Sequence, residues 1–278
     1  MSKLVKCVVP ISGGKDSQAC LQLAVAHFGK EYVIGLFCDT QFEHPLTYAH
    51  VERMAALYDV EIVRRCEGDV LSLCERTGRF PSGIARFCTN ELKINVSKKF
   101  YKSLAEQQGQ GFEVWYGMRT DESHERAKRY EFNVADELIE PHLLMPSNYP
   151  KYLADKGVMF RLPIIDWDKR QVLEFLDGKE NPLYAKGFDR VGCFPCLAGG
   201  DASKERAFHL DEFGESQFAK VREVERKIGK NVFTSKGGAT TQQSRPTLLD
   251  LSNLSESIAR THRNTPIFDF SVKDRQTY

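Results

Sequence analysis

The stretch Leu4-Val5-Lys6-Cys7-Val8-Val9-Pro10-Ile11-Ser12-Gly13-Gly14-Lys15-Asp16-Ser17 decides the fold. Its first eight residues form an apolar run of strand length. The apolar spacing then changes to a helical period at Ala19, Cys20, Leu23 and His27. The two patterns meet at Ser12-Gly13-Gly14, so the order is strand, glycine loop, helix. Gly29 is placed to close the helix, and Val33-Ile34-Gly35-Leu36-Phe37-Cys38 follows as a second continuous apolar strand, of the kind buried in a parallel sheet. These elements make one βαβ unit.

The alternation continues outward from that unit. Pro45 suits a first helical position, and Leu46, Ala49, His50, Arg53, Met54 and Leu57 carry an amphipathic helix before a short strand at Val60-Glu61-Ile62-Val63. A further helix is expected over about residues 89–107. Phe112-Glu113-Val114-Trp115-Tyr116-Gly117 reads as another buried strand, ending in the loop 118–123. The pattern predicts an α/β fold with a doubly wound parallel sheet. From 137 to 158 the periodicity breaks around Pro141, Pro146 and Pro150, which predicts an irregular insertion over the sheet edge. Order resumes at 161–165, and Asp166 or Asp168 can cap a helix through Val172, Leu173 and Leu176 that stops at Gly178. One more helix is expected over roughly 203–228. Residues 234–246 are polar and glycine-containing, which reads as a flexible linker leading to a short docking segment at 248–260. The expected division is a nucleotide-binding domain at 1–165, a smaller helical region with the cysteine turn at 166–230, and a tail at 231–278.

Composition narrows the class. With 278 residues, 41% hydrophobic and 28% charged, the chain can bury a core, which excludes a disordered protein and a small disulfide scaffold. Lys and Arg total 39 against 38 Asp and Glu, so no global field draws the chain to nucleic acid or membranes. No apolar run reaches the roughly 18 residues of a membrane span, and Met1 leads straight into a strand-like segment, so no membrane association and a cytoplasmic location are expected. The eight cysteines lack the regular spacing of a disulfide framework and are expected as free thiols. Cys7, Cys20 and Cys38 fall in apolar runs and read as packing residues, while Cys66 and Cys74 stay open. Cys193-Phe194-Pro195-Cys196 differs, because two thiols two residues apart on a tight turn can reach one metal.

The glycine loop sits where an open α/β sheet binds ligands, at the carboxyl end of the first strand. Gly13 and Gly14 let the backbone approach an anion, the first N–H groups of the helix point at it, and Ser12, Lys15 and Ser17 add donors. A phosphate is the expected guest. The loop is not a Walker A motif, which would need Gly where Val9 stands and Ser or Thr where Asp16 stands.

Ser12-Gly13-Gly14-Lys15-Asp16-Ser17 after the first strand resembles the PP-loop of ATP pyrophosphatases. Four further motifs follow in order: Asp39-Thr40-Gln41-Phe42-Glu43, Arg86-Phe87-Cys88-Thr89-Asn90-Glu91-Leu92-Lys93, Gly117-Met118-Arg119-Thr120-Asp121-Glu122-Ser123 with Arg126, and Asn181-Pro182-Leu183-Tyr184 before Gly192-Cys193-Phe194-Pro195-Cys196. Together they resemble the phosphoadenylyl-sulfate-reductase-like branch, in character nearest its iron–sulfur sulfurtransferases. The resemblance runs over about 4–200 and implies an adenine nucleotide alpha hydrolase-like, Rossmann-like fold. It also implies ATP cleavage between the α- and β-phosphates, joining AMP to a substrate oxygen and releasing pyrophosphate. Lys15, Asp16 and Arg119 are then the catalytic candidates. Ser12, Gly13, Gly14, Ser17, Asp39, Gly117, Asp121 and Arg126 join them in binding ATP, with Mg²⁺ held by Asp16 or Asp39.

The resemblance further implies that Cys88, Cys193 and Cys196 come together, and three thiolates suit a [4Fe–4S] cluster with one iron left open. A structural zinc is the alternative. Cys193-x2-Cys196-x12-His209 begins like a zinc finger, but Glu212, Phe213 and Gly214 stand where its last histidine is due, and Cys66 or Cys74 could supply a fourth ligand. Adenylyl-sulfate reductases carry paired cysteines at the first position and another near the C-terminus. Cys88 is flanked by Phe87 and Thr89, and no cysteine follows Cys196, departures that argue against a reductase. The expected function is therefore adenylation that supports sulfur transfer, to tRNA or as phosphorothioation of DNA, with a cysteine desulfurase as sulfur donor. The rivals are a reductase of adenylyl sulfate or its phosphorylated form, and a non-catalytic ATP-binding scaffold subunit. Lys93, Lys98, Lys99 and Lys102 recur on one helix face, which reads as solvated or as a phosphate track. The sequence leaves a homo-oligomer or partner subunits open.

Overall fold

The computed structural model describes residues 4–233. Five strands, β1 (Cys7–Ile11), β2 (Val33–Cys38), β3 (Glu61–Arg65), β4 (Glu113–Trp115) and β5 (Met159–Arg161), form one sheet in the order β3-β2-β1-β4-β5 with every pair parallel. Strand order reverses between β1 and β4, which is where doubly wound sheets open a crevice for ligands at their carboxyl ends. The period-2 alternation of each strand feeds two cores. Val8, Ile34, Leu36, Val114 and Phe160 pack on one face with Tyr101, whereas Cys7, Val9, Ile11, Val33 and Phe37 pack on the other with Ala19, Leu21 and Met54.

The helices are α1 (Lys15–Phe28), α2 (Pro45–Tyr58), α3 (Val70–Thr77), α4 (Phe87–Thr89), α5 (Asn95–Gln108), α6 (His124–Arg129), α7 (Pro141–Leu144), α8 (Tyr152–Asp155), α9 (Lys169–Leu176), α10 (Asp201–Phe208) and α11 (Glu212–Ile228). A π turn, Asn90–Ile94, joins α4 to α5. Helix α9 starts in a capping box, Asp168 accepting from the Gln171 N–H and Gln171 accepting from the Asp168 N–H, an arrangement that contributes about 1 kcal/mol.

Three expectations are revised. The single helix expected over 203–228 is two, because the Asp211 carboxylate caps a new start by accepting from the Gly214 N–H at 3.0 Å. Gly214 also packs so closely on the preceding turn that a Cβ would lie 2.2 Å from the Ala207 carbonyl oxygen. The insertion at 137–158 is less irregular than its prolines suggest: it carries α7 and α8 and pairs Ile139 with Phe160, covering the β5 edge. Nor does the chain divide after 165. Val172 and Leu176 share a core with β1, and α10 and α11 share another with α3 and Phe42, so residues 4–233 fall in one compact unit. The linker and docking segment expected at 234–246 and 248–260 lie outside the described residues. Among the described residues no helix is long and apolar enough to cross a membrane.

Candidate active site

Beyond Ile11 the chain turns at Gly13, whose φ of +75° and position 2.5 Å from Thr47 Cγ2, measured from a built Cβ, both demand glycine. The loop is then tied to itself. The Gly14 N–H donates to Ser12 Oγ at 3.3 Å, and Ser17 Oγ donates to the Gly14 carbonyl at 2.9 Å. The Lys15 N–H, one of the unpaired donors of the α1 start, is taken by the Tyr184 hydroxyl at 3.0 Å. Asn181 Nδ2 donates to the Gly13 carbonyl at 3.1 Å, so the segment leading to the cysteine turn rests on the loop.

The end of β4 reaches the same place. Gly117 lies so close that a Cβ there would be 2.7 Å from the Asp16 carbonyl oxygen. That approach lets Arg119, only 3% exposed, donate from Nε to Asp16 Oδ1 at 2.6 Å and from Nη1 to Asp121 Oδ2 at 2.9 Å. Lys15 Nζ donates to the other Asp16 oxygen at 2.9 Å. Asp16 therefore holds two buried cations at the mouth of the loop. Burial pulls the Lys15 ammonium below its usual range, opposed by the Asp16 charge and reinforced by Arg119 and Lys169. Arg126, on α6, pairs with Glu122.

Asp39 and Glu43 follow β2. Gln41 adopts a left-handed backbone, φ +55°, which turns its N–H onto Asp39 Oδ1 at 2.8 Å. Asp39 also accepts from Tyr48 at 2.8 Å and from both Nε and Nη2 of Arg64. Burial alone would raise its pKa, but these hydrogen bonds hold it below the ordinary value. Both oxygens of Asp39 are engaged, as are both of Asp16, but the Asp16 side chain is 15% exposed against 1% for Asp39, so Asp16 is the more accessible carboxylate. Glu43, 2% exposed, accepts from the Thr40 hydroxyl at 2.7 Å; burial, and then Asp39, push its carboxyl up.

The cysteine turn docks on this network. Glu43 and Cys193 form an antiparallel bridge, and the Phe194 N–H donates to the Phe42 carbonyl at 2.6 Å. Cys193 Sγ lies 3.3 Å from Thr40 Oγ1 and 3.8 Å from Glu43 Oε1. Cys88 reaches the same region from α4. Burial raises its thiol, and the neighbouring Cys196 raises it further. Cys193 is raised by burial and lowered by Lys93. Lys93, in the π turn, is the cation of the group: proximity to Cys193 raises its pKa against the cost of burial, with Glu43, Cys196 and Cys38 adding to the effect. Lys93 thus faces the thiols, and the expected lysine stripe reduces to Lys98, Lys99, which pairs with Glu67, and Lys102. The three thiols fit a soft-metal group in donor type and in their convergence on one cation. Among the described residues no three His, Cys, Asp or Glu stand close enough to enclose a metal, so the fit lies in donor type and not in spacing. Cys7 and Cys20 are buried in the core, Cys74 is buried beside Cys88, and Cys66 is exposed, accepting from Gln41 Nε2. His209 is exposed and packs near Phe218.

Three residues of this site had no role assigned from sequence, Glu43, Asn181 and Tyr184, and Lys93 was read there as part of a lysine face instead of as the partner of the thiols. Each lies inside a motif that marks the site, but its partner stands far along the chain.

A glycine loop at the switch point of a parallel sheet, flanked by Lys15 and Arg119, defines the class as a doubly wound α/β protein. The chain belongs to the phosphoadenosine phosphosulfate reductase domain family, whose model matches residues 6–198. It is 31% identical over 196 residues to an uncharacterised protein of Methanocaldococcus jannaschii, covering 69% of this chain and 36% of that one. It is 28% identical over 184 residues to the phosphoadenosine 5'-phosphosulfate reductase of Erwinia tasmaniensis, covering 63% of this chain and 65% of that enzyme. The chain thus spans about a third of the archaeal relative. Among solved structures, the phosphoadenylyl-sulfate reductase of Candida auris in its phosphate complex matches with TM-score 0.45 and 18% identity, covering 70% of this chain and 83% of that chain.

Proposed function

We propose that this protein is an ATP pyrophosphatase that adenylates its substrate and supports the exchange of the activated oxygen for sulfur, with nucleic acid, tRNA or DNA, as the acceptor. The observation that carries the reading is the seating of the cysteine segment on the glycine loop. Tyr184 bonds to the Lys15 N–H, and nine residues later Cys193 bridges to Glu43. This contact pattern, which ties the glycine loop and the cysteine turn to one segment, supports a single site for phosphate-binding groups and thiols.

In the activating step an acceptor oxygen attacks the α-phosphorus of ATP, the bond to the bridging oxygen breaks, and pyrophosphate leaves with that electron pair. Lys15, Arg119 and the loop N–H groups oppose the charge that develops on the phosphoryl oxygens. Asp16 orients both cations, and its position next to the loop makes it the ligand we assign to Mg²⁺. A sulfur nucleophile then displaces AMP from the acceptor. Cys88, Cys193 and Cys196 would hold a [4Fe–4S] cluster, which supplies a site able to carry sulfide. Lys93 balances the thiolate charge. A cysteine desulfurase is the sulfur donor we assign, its persulfide sulfur being released as sulfide by a thiol reductant that is oxidised to a disulfide.

A second reading, reduction of a phosphorylated adenylyl sulfate, is favoured by the Erwinia tasmaniensis relative. One experiment separates them: pyrophosphate release from ATP with tRNA or DNA present, beside sulfite release from phosphoadenylyl sulfate with a thiol donor. Pyrophosphate without sulfite, lost in Lys15→Ala, supports adenylation; sulfite without pyrophosphate overturns it.

A further inference from the structure

Three arginines outside the loop come from three separate segments that flank the glycine loop and the cysteine turn. Arg86 stands at the start of α4, two residues before Cys88. Arg126 is one turn beyond the Arg119-Thr120-Asp121 stretch that grips Asp16. Arg190 lies between Asp189, which Lys169 already pairs at 2.8 Å, and Val191, whose carbonyl oxygen lies 3.3 Å from a Cβ built on Gly14. Arg126 shares Glu122, but among the described residues no hydrogen bond or ion pair occupies the Arg86 or Arg190 guanidinium. Arg126 feels the charge of both of the others. Burial, then the charge of Arg190 and, less, that of Arg86, disfavour the charged form of Arg126, while Tyr130 and Asp16 favour it. Positive charge in excess of its carboxylates, on planar forks with free donors, is the arrangement that takes up phosphate oxygens.

We propose that Arg86, Arg126 and Arg190 form a second phosphate subsite, separate from the loop of residues 12–17, that grips a backbone phosphate of the polynucleotide acceptor. The position fits that use. Arg86 and Arg190 are exposed, each within three residues of a site cysteine, and Arg190 is next to Val191, which packs on Gly14, so a strand held there would run past both the loop and the thiols. ATP phosphates belong to the loop, where the donors are buried. The inference deepens the proposed function and rests on it for the identity of the acceptor, while its test measures binding alone.

The test is binding of a fluorescent single-stranded oligonucleotide, in the presence of a non-hydrolysable ATP analogue, to the full chain and to Arg190→Ala and Arg86→Ala, over a range of salt. Each variant is expected to bind the oligonucleotide about fivefold more weakly and to lower the slope of log affinity against log salt by about 1, with analogue affinity held. Three results overturn the proposal: unchanged oligonucleotide binding in both variants, parallel loss of analogue binding, or inorganic phosphate binding the arginines where the oligonucleotide does not. None of these depends on turnover, so absence of sulfur transfer with intact, arginine-dependent binding counts against the proposed reaction and not against the subsite.

Discussion

The hydroxyl of Tyr184 accepts a hydrogen bond from the Lys15 backbone N–H at 3.0 Å, joining residues 169 positions apart in the chain. The hydroxyl sits on a donor that a bound phosphate oxygen would use, and the Lys15 ammonium lies 5.5 Å from the centre of the same ring. Tyr184 therefore competes for a donor that the proposed phosphate contact would use. Tyr184→Phe removes the competitor and is expected to tighten binding of a non-hydrolysable ATP analogue about fivefold, read by calorimetry. Weaker binding would show that Tyr184 holds the nucleotide instead.

Close approach at Gly117 sets the Arg119 to Asp16 contact. A methyl group there meets the Asp16 carbonyl oxygen at 2.7 Å, which is backbone and cannot swing aside. Gly117→Ala should displace the Arg119 guanidinium by about an ångström and lower nucleotide turnover about 100-fold. Gly83, where an added Cβ meets nothing within 4 Å, provides the control: Gly83→Ala should leave turnover unchanged.

Lys93 is the cation that the thiols face. Replacing it by glutamine leaves their negative charge without compensation, so Lys93→Gln should lose most of its iron and labile sulfide on purification, with Lys93→Arg retaining more. Equal metal content in all three proteins would remove Lys93 from the account.

His50 makes stability depend on pH. Its Nδ1 accepts from Arg53 Nη2 at 3.2 Å, so Nε2 carries the proton and donates to Gln18 Oε1 at 2.9 Å. Burial, then the Arg53 charge, pull its pKa down to about 4. Above about pH 6.5 neither folded nor unfolded chain is protonated there, and the folded state has no penalty. Between about 6.5 and 4 only the unfolded chain takes up the proton, so stability falls with pH across that window, by roughly 3 kcal/mol in the limit. Urea midpoints should fall accordingly, and His50→Gln should flatten the slope. A wild-type midpoint constant from pH 7 to 5 would contradict the burial of a neutral imidazole.

Local signals carried most of the sheet. The switch from strand to helical period at Gly13 and Gly14, and the unbroken apolar run of β2, were legible because nearly every residue of β1 and β2 is buried. Helix α3 was not: eight residues long, its apolar face of Val70, Leu73 and Cys74 finds its partner in α11, about 150 residues away. The π turn is equally silent in sequence, since only packing selects one extra residue per turn. At the site, residue types declared themselves where chemistry is unusual, as in Ser12-Gly13-Gly14-Lys15-Asp16-Ser17. Glu43 and Lys93 did not, because their significance lies in facing Cys193, a contact that exists only after residues 181–196 fold back onto the loop.

The most direct test of the central claim, that loop and thiols serve one reaction centre, is the iron and acid-labile sulfide content of protein purified without oxygen, in the wild type, Lys15→Ala and Cys196→Ala. About four irons and four sulfides per chain, unchanged in Lys15→Ala and lost in Cys196→Ala, is the predicted result. Zinc alone, or no metal in the wild type, would contradict it.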